Sequence, residues 1–459
     1  MELELTGKKV LVIGAGISGF AAAKVAKKLG AEVTLSDAKA EKDLKYDFGQ
    51  LREMGIELAF GPQQKSLLED KDMVIPSPAV PVRVPLIQSA YDRGLRVLSE
   101  VEMAYELSGS PFAAVTGTNG KTTTVTLLGE LLAAHFPPGK VGVGGNIGIP
   151  LVEEALRVGA GGAIAAEISS YQMEATEDFH PHVAAVLNVT PDHIVRHGSM
   201  EVYQQMKERM FAQQTPEDFL VLNYDDPHTR GMKERARGQV CYFSRREELA
   251  AGAYLRCSDN RLVISWEGKV SELCTVAELG IKGGHNVENA LAAAASAFFM
   301  GVAPEEMVPV LKSFKGVEHR IEPVREVNGV PYYNDSKATN TDSAIKALET
   351  FPGHIILLAG GDDKLTDLTE FMGLVKERCE ELILLGAAAR RFRDEAVKNG
   401  YPEEHIHMVG YDMQAAVEKA HELAHAPQVV LLSPACASFD MYEGFEARGR
   451  DFKRLVNKL

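Results

Sequence analysis

Cysteine is scarce and scattered. The chain has 459 residues and five cysteines, Cys241, Cys257, Cys274, Cys379 and Cys436, with no C-x-x-C pair. Such an odd, dispersed set excludes a disulfide framework and supplies no thiolate cluster for a metal; it fits reduced core thiols in a cytosolic protein. Positive charge is also short. Against 64 Asp and Glu stand 49 Lys and Arg, a formal charge of −15, which argues against a nucleic acid or an anionic membrane as partner. Any phosphate site must therefore carry its positive charge locally. Long apolar runs are missing too: the longest, residues 290–303, is too short and too alanine-rich to span a bilayer. The opening Met1-Glu2-Leu3-Glu4-Leu5 has no basic and no apolar segment, so no signal peptide and a cytoplasmic location are expected.

What remains is an ordinary soluble composition, 45% hydrophobic and 25% charged, in a chain long enough for about three domains of ~150 residues. The centre of the pattern is Gly117-Thr118-Asn119-Gly120-Lys121-Thr122-Thr123. An apolar strand, 112–115, enters it and a helical pattern, 122–134, leaves it. Glycines let backbone N–H groups approach an anion, the helix N-terminus adds its dipole, Lys121 adds a point charge, and Thr122 can hold Mg²⁺. The first glycine of G-x-x-x-x-G-K-[ST] falls on Val115. A nucleoside triphosphate site is the sharper reading, and a ligand-free turn is the bland one.

Upstream, a strand at 9–13 runs into Gly14-Ala15-Gly16-Ile17-Ser18-Gly19, then a helix at 20–29 and a strand at 32–36 that ends at Asp37. This is the layout of a dinucleotide fingerprint, with the acid placed to reach a ribose. NAD or any other nucleotide diphosphate would suit it. Strands at 56–60, 73–75 and 96–98 continue the alternation, and Ser77-Pro78-Ala79 sits at a carboxyl end, where ligands of open α/β sheets bind. Ser108-Gly109-Ser110-Pro111 reads as a linker, which ends the first domain near residue 105.

The middle of the chain adds strands at 140–143, 162–168, 183–189 and 219–222, β-hairpins within 253–270, and helices at 151–157, 200–213, 285–299 and 304–314. Glu167 ends an apolar strand, and a buried carboxylate there requires a metal or a cation as partner. His193 follows the next strand. Lys207, in a charged amphipathic helix, reads as a solvated lysine. After Gly316 come strands at 331–334, 355–359, 382–385, 407–409 and 429–432, and a charged helix at 445–459. Three polar loops, starting at Asn334, Gly360 and Ser433, follow apolar strands and would share one edge of one sheet. The fold class is therefore α/β in three domains: N-terminal Rossmann-like, 1–105; central P-loop ATPase-like, 106–316; C-terminal Rossmann-like, 317–459.

Seven motifs occur in order: Thr116-Gly117-Thr118-Asn119-Gly120-Lys121-Thr122, Gly145-Asn146-Ile147-Gly148, Glu167-Ile168-Ser169-Ser170-Tyr171-Gln172, Asn188-Val189-Thr190-Pro191-Asp192-His193, His285-Asn286-Val287-Glu288-Asn289, Glu318-His319-Arg320 and Asn334-Asp335-Ser336-Lys337. Together they resemble the Mur ligase family, which builds the peptide of peptidoglycan. The Gly14–Gly19 opening and Ser433-Pro434-Ala435-Cys436-Ala437-Ser438-Phe439-Asp440 look most like the members that join D-glutamate to UDP-N-acetylmuramoyl-L-alanine.

That resemblance implies an ATP-dependent amide ligase working through an acyl phosphate, with two Mg²⁺. It implies UDP, not NAD, near Ser18 and Asp37. Gly117, Thr118, Asn119, Gly120, Lys121, Thr122 and Thr123 would hold the ATP phosphates. Thr122, Glu167 and His193 would bind magnesium, with the substrate-side Asn146 nearby. Lys207 matches a lysine carried as a carbamate, which would support the second metal, against its bland reading. Lys121, His193 and Lys207 are the catalytic candidates. Asn286 and Asn289 would lie at ATP, Arg320 and Asp335 would reach it from the third domain, and Lys337, Thr339, Lys364, Ser438, Phe439 and Phe445 would surround D-glutamate. A monomer is expected, with domain three closing over domain two about a hinge at 316–320.

One position departs from the family pattern: Val195 stands where a second acid usually follows the Asp-His pair. The nearest rivals are another Mur-type or folylpolyglutamate-type ligase. From other classes, an NAD-dependent oxidoreductase would explain only the first glycine motif, and a non-catalytic ATP-binding regulator would leave the catalytic-type groups idle.

Overall fold

The strands of the computed structural model, which describes residues 3–44, 46–363 and 365–459, gather into three sheets. The first has the spatial order Glu57–Phe60, Glu32–Asp37, Lys9–Ile13, Met73–Pro76, Arg96–Val97, all parallel. Lys9–Ile13 is central and buried along Val10–Ile13, which is why it reads as an unbroken apolar run. The strand order reverses beside it, and ligand crevices of doubly wound sheets open at that point. The helix Ile17–Lys28 lies close to the strand exit through small residues, Ala21, Ala22, Ala23 and Ala26. Gly19 permits this approach, because a Cβ there would fall 1.9 Å from the Gly14 carbonyl oxygen.

The second sheet is ordered Lys269–Thr275, Arg261–Trp266, Gly252–Arg256, Gln239–Ser244, Phe219–Asn223, Val183–Val186, Phe112–Thr116, Ala163–Glu167, Val141–Gly145. Its last seven strands are parallel, and the first two add the antiparallel hairpins expected from the alternation at 253–270. Gln239–Ser244 is a strand the sequence reading did not include. The strand that feeds the phosphate loop, Phe112–Thr116, is interior and fully buried.

These two sheets belong to one compact unit, Met1–Gly280 with Asn286–Phe314. A single apolar cluster runs through both, from Val10 and Ala22 to Ile164 and Leu220. Tyr105, Phe112 and Phe179 meet edge to face, with centroids 5.6–6.1 Å apart. Glu100 is buried at the same junction, where its Oε1 accepts the Val152 N–H at 2.7 Å in the first turn of Leu151–Val158. Its Oε2 has no hydrogen-bond partner.

Burial pushes the Glu100 carboxyl up to about 7. The folded state thus holds this proton more tightly than the unfolded chain, so the contribution of the protonated form is lost as pH rises from the ordinary glutamate range through about 7. Glu100→Gln is expected to stabilise the fold at pH 8.5 by at most about 3 kcal/mol, read as a higher first calorimetric melting transition, and to leave that transition nearly unchanged at pH 5. An equal shift at both pH values would refute this account.

The second unit, Ile281–His285 with Lys315–Leu459, holds the third sheet: Glu322–Val327, Val330–Asn334, Val429–Leu432, Ile355–Gly360, Cys379–Leu385, Ile406–Met408. Only the first pair is antiparallel. The loops after Val330–Asn334, Val429–Leu432 and Ile355–Gly360 emerge from neighbouring strands, as expected. They are laced together: Asp335 N donates to Leu432 O at 2.8 Å, Gly360 N to Pro434 O at 2.9 Å, and Asp362 N to Ala437 O at 2.9 Å. Among the described residues no helix is long and apolar enough to cross a membrane.

Candidate functional site

The phosphate loop leaves its strand at Thr116 and enters the helix Lys121–His135 through Gly120, whose φ is 85°. A Cβ at Gly120 would lie 2.3 Å from Asn289 Oδ1, so the position admits no side chain. Asn289 Nδ2 in turn donates to Asn286 Oδ1 at 3.1 Å, and both asparagines are buried on the helix Gly284–Phe299. On its other side the loop is clamped by Asn188. Its Oδ1 accepts Thr118 N at 3.0 Å and Asn119 N at 2.8 Å, and its Nδ2 donates to Asn119 O at 3.1 Å. Thr118 Oγ1 completes the clamp by donating to Thr190 O and accepting from Thr190 N.

Two lysines converge on one carbonyl. Lys121 Nζ donates to Gly117 O at 2.8 Å and to Thr118 O at 2.9 Å. Lys207 Nζ donates to the same Gly117 O at 2.9 Å. Lys207 is only 1% exposed and stands over the Tyr203 ring, 4.3 Å from its centroid. The solvated lysine suggested by the charged pattern is therefore not observed, because Tyr203 and Lys207, one helical turn apart, form the inward face of Met200–Glu208. Burial first, and then the charge of Lys121, pulls the Lys207 pKa well below the ordinary lysine range, with Asp192 opposing.

Glu167 ends its strand fully buried. Asn146 Nδ2 donates to its Oε1 at 2.9 Å, while its Oε2, like Thr116 Oγ1 and Thr123 Oγ1, is buried without a hydrogen-bond partner. Thr122 is buried beside Thr123 in the first helical turn. His193 has φ 55° and begins the short turn Ile194–His197. Its Nδ1 is 2.9 Å from Tyr171 Oη, and its Nε2 is 3.5 Å from Asp192 Oδ2. Val195 points into solvent at 99% exposure. On the first sheet, Asp37 closes the glycine turn: its Oδ2 accepts Ala15 N at 2.8 Å and its Oδ1 accepts Lys39 N at 2.9 Å. Ser18 is half-buried in the following helix.

In the second unit Asp335 is fully buried, accepting Ser433 Oγ at 2.8 Å and Ile321 N at 3.2 Å. Burial pushes its carboxyl up to about 6, with Arg320 opposing. Lys337 Nζ lies 5.1 Å from the Phe445 ring centroid, Thr339 N donates to Lys337 O, Ser438 is buried, and Phe439 is 70% exposed. Lys364 lies outside the described residues.

Family models match most of the chain: the Mur ligase MurD-like N-terminal domain over residues 8–99, the Mur ligase middle domain over 115–297, and the Mur ligase glutamate ligase domain over 319–436. A UDP-N-acetylmuramoylalanine–D-glutamate ligase from Thermoanaerobacter pseudethanolicus is 44% identical over 457 residues, all of both chains. The chain belongs to the Mur ligase family. A ligase of the same description from Pelotomaculum thermopropionicum is 46% identical, covering 100% of this chain and 99% of that one. Among solved structures, a pseudomurein peptide ligase type C from Methanothermus fervidus shares the fold at TM-score 0.61 and 20% identity, covering 98% of this chain and 100% of its own. The UDP-N-acetylmuramate–alanine ligase of Thermotoga maritima does so at 0.60 and 19%, covering 98% and 99%.

Two residues of this Mur ligase's sites escaped the sequence reading. Arg448, buried in the helix Phe445–Val456, ties two of the polar loops together by donating to Ser336 Oγ, Ser336 O, Ala437 O and Cys436 O. Nothing in its local sequence marks it. Tyr203, whose hydroxyl lies 3.2 Å from Thr118 Oγ1, was discoverable, because it precedes Lys207 by one helical turn.

Proposed function

We propose that this chain joins D-glutamate to UDP-N-acetylmuramoyl-L-alanine with conversion of ATP to ADP and phosphate, a step of peptidoglycan synthesis, and that it acts as a cytoplasmic monomer. The observation that carries the reading is full-length likeness, at 40–46% identity, to ligases of that description. The site geometry supports the chemistry. A substrate carboxylate oxygen forms a bond to the γ-phosphorus as the β–γ bridging P–O bond breaks and ADP leaves. The amine nitrogen of D-glutamate then bonds to the acyl carbon, phosphate departs with the C–O bonding pair, and the amine loses its proton.

Lys121 and the N–H groups at the start of its helix are assigned to the transferred phosphoryl group, and Asn188, which accepts the Thr118 and Asn119 N–H groups, fixes the backbone of the loop. The unpartnered oxygens of Glu167 and Thr123 fit a hard divalent cation, which takes oxygen donors, and Thr122 and His193 are assigned to the same ion. When bound, Mg²⁺ supplies charge neutralisation on the phosphates. Lys207 is proposed to exist as a carbamate: its neutral amine forms an N–C bond to CO₂ and releases a proton, so a cation becomes an anion. Ser18 and Asp37 are assigned to the UDP moiety, Asn146 to the substrate, Asn286, Asn289, Arg320 and Asp335 to ATP, and Lys337, Thr339, Lys364, Ser438, Phe439 and Phe445 to D-glutamate.

Phosphate release settles the substrate. It is expected with ATP, UDP-N-acetylmuramoyl-L-alanine and D-glutamate together, and not when any one is withheld. Release with L-lysine or diaminopimelate but not D-glutamate would overturn the specificity and point to another ligase of the same scaffold.

A further inference from the structure

His193 lies on an exposed turn, and something must hold it. Neighbouring Val195 contributes nothing, since its side chain is in water. Arg196 does the opposite: its side chain is 12% exposed and folds under the turn against Glu174, itself 11% exposed. The pair is a fork on a carboxylate, with Nε to Oε1 and Nη2 to Oε2 both at 2.8 Å. The guanidinium plane also covers the Tyr171 ring, 4.7 Å from its centroid, and Tyr171 Oη is the group bonded to His193 Nδ1. So Arg196 reaches His193 through one aromatic ring.

The same guanidinium reaches the first sheet. Nη1 donates to Ala79 O and Nη2 to Pro78 O, each at 3.3 Å. The contact is reciprocal, because Arg83 Nη1 donates to the Arg196 carbonyl at 2.9 Å. Glu174 Oε2 additionally accepts Val82 N at 3.4 Å. The segment 77–83 follows Met73–Pro76, beside the point where the strand order reverses and a ligand crevice opens. One planar cation thus serves a carboxylate, two carbonyls and a ring face simultaneously. Lysine, a compact point charge, cannot do all of this.

We propose that Arg196 is a positioning residue that locks the His193 turn to the 77–83 loop, so that seating the UDP-linked substrate on the first sheet sets the position of His193 at the phosphate site. The proposal rests on the ligase reading above. It assigns Arg196 no contact with the reacting atoms.

The test uses Arg196→Lys in the full chain. It is expected to lower kcat by about tenfold or more, since small misplacements at a reacting centre are costly. It also raises the KM for UDP-N-acetylmuramoyl-L-alanine and leaves the KM for ATP and D-glutamate within about twofold. Tyr171→Phe lowers kcat alone, and the double variant is less impaired than the product of the two single effects, as residues acting in one line are non-additive. A readout independent of turnover is the ring ¹⁵N signal of His193, which shifts on adding UDP-N-acetylmuramoyl-L-alanine to the wild type and fails to do so in Arg196→Lys. Wild-type kinetics in Arg196→Lys, or parallel loss in all three KM values with a lowered melting temperature, overturns the positioning role. A wild type that neither binds the UDP-linked substrate nor releases phosphate overturns the ligase reading instead.

Discussion

Lys121→Ala is expected to lower kcat for phosphate release by about 10²- to 10³-fold, the range for removing one preorganised donor from a developing oxyanion. The physical reason is the position of its ammonium. It bridges Gly117 O and Thr118 O at 2.8 and 2.9 Å, inside a loop whose backbone at Thr118 and Asn119 is held by Asn188. The charge is thus already stationed in the loop to which the transferred phosphoryl group is assigned. In a chain of formal charge −15 no diffuse positive field replaces it. Lys121→Arg is expected to recover little, because a planar guanidinium does not fit the space of a compact ammionium-type point charge. The measurement is initial-rate phosphate release with all three substrates saturating. A Lys121→Ala protein that works at the normal rate removes the phosphate-loop assignment.

How much of this was legible beforehand follows from what each element must bury. The runs 10–13, 112–115 and Ile355–Gly360 are covered on both faces, so they carry no polar side chain and they announce themselves. Glu322–Val327 was missed because it is an edge strand, paired on one side only and half exposed, and its Pro323 and three charged residues satisfy no such demand. Chemistry is legible where it constrains neighbouring residues, as in Gly117–Thr123. It is hidden where a distant side chain supplies the contact. Arg448 bonds to Ser336 across 112 positions, and Arg196 meets Pro78 across 118. Lys207 lies between these cases. Its helix reads as a charged surface stripe, and only the inward turn of Tyr203 four residues earlier separates the buried face from the wet one.

Lys207→Ala is expected to reduce kcat by at least about 10²-fold, and Lys207→Arg to be no better, since a guanidinium cannot deprotonate in a protein. Burial and the nearby Lys121 charge both disfavour the ammonium form, so its pKa lies well below that of an ordinary lysine. The sign matters. A lowered pKa enlarges the share of neutral amine, and only the neutral amine has the lone pair that adds to CO₂. The adduct is an anion held close to Lys121, through the Gly117 carbonyl that both lysines now share. The Lys121 charge, which disfavours an ammonium at Lys207, attracts the carbamate anion, which favours the modified state. Wild-type protein equilibrated with ¹³C-bicarbonate is expected to show a carbamate carbon resonance that is absent from Lys207→Ala, and activity should fall on removal of dissolved CO₂. A fully active Lys207→Arg, together with no such resonance in the wild type, would mean that Lys207 serves only as a buried donor to Gly117, tethering the helix Met200–Glu208 to the loop.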